Sequence, residues 1–119
     1  MMDNKNLRKS PRKESLIQFD VINQVDKSLY GLLLDISFSG LLILSDSRKR
    51  LGEITRIKVI LPAQFYIKND PVFSIECKWS KQNETGSYNS GFEFLKESQT
   101  EKSREQIGNI GKVMRFGLD

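Results

Sequence analysis

Two arginines four residues apart, Arg8 and Arg12, lie in a stretch where five of the nine residues from Lys5 to Lys13 are basic and none is acidic. An arginine presents a planar fork of donors that clamps phosphate bidentately, meets O6 and N7 of guanine, and stacks on bases. Ser10-Pro11 disfavours helix before Arg12, so the segment reads as extended or bent. Further along, Asp35-Ile36-Ser37-Phe38-Ser39-Gly40 follows a run of strand-forming residues. Residues two apart in a strand project to the same side. A carboxylate acceptor at Asp35 and a hydroxyl at Ser37 therefore face one patch, while Ile36 and Phe38 face the core. Gly40 either turns the chain with positive φ or lets a planar group approach the backbone closely. Arm and strand end fit together as one anion-binding site.

The elements that must position these groups are mostly strands. Residues 1–14 read as a flexible basic arm. Residues 15–97 carry the strand signals: Leu16 to Ile22, Leu29 to Phe38, Leu41 to Leu44, Glu53 to Leu61, Val72 to Trp79 and Tyr88 to Leu95. In the fifth, Phe73, Ile75, Cys77 and Trp79 fall on one face. Pro62, Asn69-Asp70-Pro71 and a hairpin turn at Asn83-Glu84-Thr85-Gly86 punctuate the series. Residues 98–119 change period: Ile107, Ile110, Val113 and Met114 have helical spacing, with Ser98 and Glu101 as a capping box. Gly108 and Gly111 weaken that helix by about 1 kcal/mol each relative to alanine, so packing on the sheet must hold it. The expected fold is mainly β: a small antiparallel barrel of six or seven strands, a C-terminal helix on the barrel and an N-terminal arm.

Composition narrows the function. The 119 residues fit one domain with a net charge of +4. One cysteine, Cys77, and no histidine exclude an intrachain disulfide and argue against structural zinc. Cys77 reads as a small buried hydrophobe, and Arg48-Lys49-Arg50 as a solvated loop. A Ser-His-Asp arrangement is impossible, no P-loop is present, and an enzyme is the least supported class. The absence of an apolar leader or a long apolar run points to a cytoplasmic protein with no membrane insertion.

In order and spacing the two motifs, RxxxR followed by DxSxxG, resemble those of the PilZ family. By composition, RxxxR arises by chance in about a quarter of chains this long and DxSxxG in about a few per cent, so the pair carries the signal and neither half does. Leu41-Leu42-Ile43-Leu44, Gly52, Cys77-Lys78-Trp79 and Gly91-Phe92-Glu93-Phe94 are similar too, and no motif position departs from the pattern. The resemblance implies a β-barrel receptor for the bacterial second messenger cyclic di-GMP, a ligand rather than a cofactor. It is expected to bind through Arg8, Arg12, Asp35, Ser37 and Gly40. That ligand offers two phosphates and two guanines, and Asp35 can accept from N1–H and the exocyclic amine of a guanine edge. Lys9 and Ser39, inside the motifs, would add weaker contacts. In the family a basic residue before the first arginine favours a stacked ligand pair, so Leu7 implies one bound molecule; read alone, it also fits an arm residue packed on the barrel edge. Trp79 could stack beneath the ligand or, as tryptophan on an alternating strand usually does, sit in the core.

Three functions compete. The leading one is a ligand-sensing adaptor that passes its signal to an unidentified downstream protein as the arm becomes ordered. The second is a protein-interaction module of the same fold that binds no nucleotide, against which the intact motifs argue. The third is a single-stranded nucleic-acid binder. The basic residues are concentrated in one arm and form no ladder with exposed aromatics, which argues against nucleic acid.

Overall fold

The computed structural model of the chain describes residues 19–61 and 70–116, the side chain of Phe116 excepted. Arg8, Arg12, Leu7 and Lys9 lie outside the described residues. The strands are β1 (Phe19–Asn23), β2 (Leu29–Ser37), β3 (Gly40–Ser45), β4 (Ile54–Ile60), β5 (Val72–Gln82) and β6 (Tyr88–Phe94). A single 3-10 turn at Lys96–Ser98 leads to helix α1 (Glu101–Phe116). All strand pairs are antiparallel, and the order β1-β2-β3-β6-β5-β4 closes on itself through β1 and β4.

Alternation builds the interior. β3 buries Leu41, Ile43 and Ser45, and β4 buries Thr55, Ile57 and Val59. With Phe19, Val21, Leu33, Phe73, Ile75, Phe92 and Phe94 these fill one core. Two polar side chains set the tight turns. Asn23 Oδ1 accepts from the amides of Val25 and Asp26 between β1 and β2, and Asn83 Oδ1 accepts from Thr85 and Ser87 between β5 and β6. Gly86 supplies the positive φ of +92° at the second turn.

Helix α1 buries Ile107 and Ile110 in the barrel core, with Val113 and Met114 packed beside them. It lies chiefly against β2. The cap differs from the expected capping box. Thr100 Oγ1 receives the amide of Ser103 at 3.0 Å, while Ser98 Oγ receives the buried amide of Ser74 at 2.7 Å. Ser98 therefore ties the approach to the helix onto β5, and Thr100 does the capping.

Candidate functional site

The strand pattern breaks at two places, and both breaks shape one surface. In β2 the register shifts between Leu33 and Asp35, so Leu33 and Ile36 both point inward although they are three residues apart. The bulge turns Leu34 and Asp35 outward together. In β5 the register shifts between Cys77 and Trp79. Phe73, Ile75 and Cys77 are buried as expected, but Lys78 occupies the bulge and Trp79 swings to the outer face, 45% exposed. The single apolar face from Phe73 to Trp79 is thus overturned: alternation fails at the one position where an extra residue is inserted.

The registers then align Asp35 with Leu42, Leu42 with Gly91, and Gly91 with Trp79. This outward row crosses β2, β3, β6 and β5. A hollow of about 370 Å³ lies along it, lined by Asp35, Ser37, Ser39, Gly40, Lys78 and Trp79 among others. Gly91 has no side chain to hold the tryptophan off the sheet. A Cβ there would stand 2.2 Å from Trp79 Nε1, so the indole lies directly on the Gly91 backbone. Gly40 works similarly. Its φ is not positive, so the turn explanation fails, and a Cβ there would stand 2.0 Å from the Phe92 carbonyl oxygen. Close approach of its own neighbouring strand fixes Gly40.

Asp35 Oδ1 accepts from the Ile36 amide at 2.9 Å and lies 3.8 Å from Arg115 Nη2. Among the described residues no hydrogen bond reaches its Oδ2. Ser37 Oγ lies 3.0 Å from Ser39 Oγ, and both are exposed. Lys78 Nζ sits between Glu76 at 3.6 Å and Glu93 at 3.8 Å. Of the residues expected at the site, Asp35, Ser37, Ser39, Gly40 and Trp79 line one hollow. Phe38 departs from expectation: it lies beyond the end of β2, is half exposed, and carries the Arg104 guanidinium 4.3 Å from its ring centroid.

Lys78, Gly91 and Glu93 also line the hollow and Arg115 contacts Asp35, and the two motifs point to none of the four. Gly91 had a signal, a glycine amid strand residues. Arg115 had none, since nothing local says that the last turn of α1 meets β2. Among the described residues no group of carboxylates and thiols could hold a metal ion, and no helix is long and apolar enough to cross a membrane.

Neither a curated protein nor a solved structure matches the chain. A family model described as PilZ domain matches residues 6–110, a span that includes Arg8, Arg12, Asp35, Ser37 and Gly40.

Proposed function

The chain belongs to the PilZ family, and on that footing we propose that it is a receptor that binds cyclic di-GMP between the Arg8/Arg12 segment and the hollow beside Asp35. PilZ domains form a family of cyclic di-GMP receptors and adaptors, some of whose members bind no nucleotide. The observation that carries the proposal is the row from Asp35 to Trp79. It offers at one end a carboxylate whose Oδ2 meets no donor among the described residues, and at the other a half-exposed indole lying on the Gly91 backbone. A guanine edge donates to Asp35 Oδ2, Ser37 bonds a phosphate or base atom, and a guanine face stacks on Trp79.

Charge explains why the arm is needed. The described hollow contains Asp35 and Glu93 against the single cation Lys78. A ligand with two phosphates requires more positive charge than that, and Arg8 and Arg12 supply it bidentately. They are within reach. Phe19 pairs with Leu33, two residues from Asp35. Arg12 lies seven residues before Phe19, a span of at most about 25 Å, and Arg8 eleven, at most about 40 Å. Ligand binding holds the arm against the barrel and so alters the surface presented to a partner protein, which is how the signal leaves the domain.

Calorimetric titration with cyclic di-GMP tests the proposal. Wild type gives saturable binding, and Arg12→Ala loses about 30-fold or more in affinity, as expected when one partner of a close charged pair is removed. Equal heats for the two proteins would count against it. An oligonucleotide that competes with the dinucleotide would favour the nucleic-acid reading instead.

A further inference from the structure

Arg115 lies beyond residue 110, where the match to the family model ends, yet it contacts Asp35 and Ile36, two residues that line the hollow. Its Nη2 donates to the Ile36 carbonyl at 2.8 Å and stands 3.8 Å from Asp35 Oδ1. Helix α1 lies chiefly against β2, and this brings its last turn to the Ile36 carbonyl. Gly111 opens the way. A Cβ at that position would lie 2.7 Å from Arg115 Nη1 and 3.5 Å from the Ile36 oxygen. The glycine that weakens the helix is therefore also the one that lets the arginine fold back along its own helix to the strand.

We propose that Arg115 is a positioning residue for Asp35, fixing one carboxylate oxygen so that the other is presented to the ligand. Oδ1 is claimed by the Ile36 amide and the Arg115 guanidinium, and Oδ2 faces no described donor. An exposed ion pair at this separation adds little to the stability of a fold. Its effect falls on the orientation of the side chain it faces. A cation in the last turn of a helix also suits the helix dipole, and that purely structural role makes a different prediction. The inference rests on the receptor reading above, because Asp35 has a ligand to meet only if that reading holds.

The test is a double-mutant cycle on the full chain, titrated with cyclic di-GMP and melted thermally in parallel. Arg115→Gln should weaken binding about three- to tenfold with the melting temperature nearly unchanged, and should lose most of that effect in an Asp35→Asn background. Gly111→Ala keeps the charge but takes the space of the guanidinium, and should weaken binding in the same direction. Equal affinity for wild type, Arg115→Gln and Gly111→Ala overturns the proposal and leaves the receptor reading intact. An Arg115→Gln loss of the same size in both backgrounds also overturns it, since the arginine would then act on the ligand directly. A wild type that binds no cyclic di-GMP removes the receptor reading and this inference with it.

Discussion

Asp35 and Glu53 are both carboxylates at the barrel wall, and their surroundings are opposite. Glu53 Oε2 receives the hydroxyls of Tyr30 at 2.8 Å and Thr55 at 3.1 Å, and its Oε1 receives the Arg50 amide at 3.3 Å. Lys49 Nζ lies 3.6 Å from the centre of the Tyr30 ring, completing the cluster. Burial pushes the Glu53 pKa up, but the hydrogen bonds from Tyr30, Arg50 and Thr55 together with the Lys49 charge outweigh it, and the net shift is downward. Burial also pushes the Tyr30 hydroxyl well above its ordinary value and lowers the Lys49 ammonium. Both oxygens of Glu53 are occupied by the protein, whereas Asp35, at the rim of a hollow, has one oxygen that meets no donor among the described residues. A satisfied carboxylate contributes structure, and a half-satisfied one is available to a ligand.

The largest expected effect separates the two directly. Asp35→Ala removes a charged acceptor from the ligand and should weaken cyclic di-GMP binding about 10- to 100-fold, with little change in melting temperature because the side chain is exposed. Glu53→Gln should do the reverse, leaving affinity within about twofold while costing about 1 kcal/mol of stability as the Tyr30 and Thr55 hydroxyls lose a charged acceptor. Calorimetry and denaturant melts on both variants check the crossing. If Glu53→Gln abolished binding and Asp35→Ala did not, the site would be at the other cluster.

A smaller effect sharpens the far end of the Asp35 row. Trp79 is the chain's one tryptophan and lies on Gly91 with its other side toward solvent. Trp79→Ala should weaken binding about fivefold or more through lost stacking, and the fluorescence of the wild-type indole should change on titration. An unchanged spectrum at saturating ligand would place the guanines elsewhere.

These residues also show what the sequence could reveal. The spacing of Asp35 and Ser37 gave their shared outward face, because period two needs only a strand. The hydrophobic pattern gave six strands whose described ends agree to within a few residues, the expected start at Leu16 lying outside the described residues, and the helical spacing gave Ile107 and Ile110 as core. Trp79 leaves the apolar face that alternation assigns to it because a bulge at Lys78 has no composition of its own: it appears only when β5 is paired with β6. The Asp35 bulge escaped for the same reason, although there the outward prediction survived it. Ser98 has the chemistry of a helix cap, but tertiary structure gives it the Ser74 amide instead. Arg115 and Glu53 were silent because their meaning comes from residues 79 and 23 positions away.

The smallest expected effect concerns acid, and it follows from the sign of the Glu53 shift. Its carboxyl titrates lower in the folded chain than the ordinary value of 4.5. Between those two values the unfolded chain binds more protons than the folded one, so stability falls as pH falls. The contribution of Glu53 is fully present above about pH 4.5 and is lost progressively as pH drops through the folded value. Glu53→Gln has no such titration. The stability gap between wild type and Glu53→Gln should therefore be constant from neutral pH down to about 5 and then narrow on further acidification, read as the difference between their urea midpoints at each pH. Subtraction removes the other carboxylates, which titrate alike in both proteins. A gap that widened in acid would mean that burial outweighs the hydrogen bonds at Glu53, and the contrast between a saturated carboxylate and a ligand-ready one would lose its stable half.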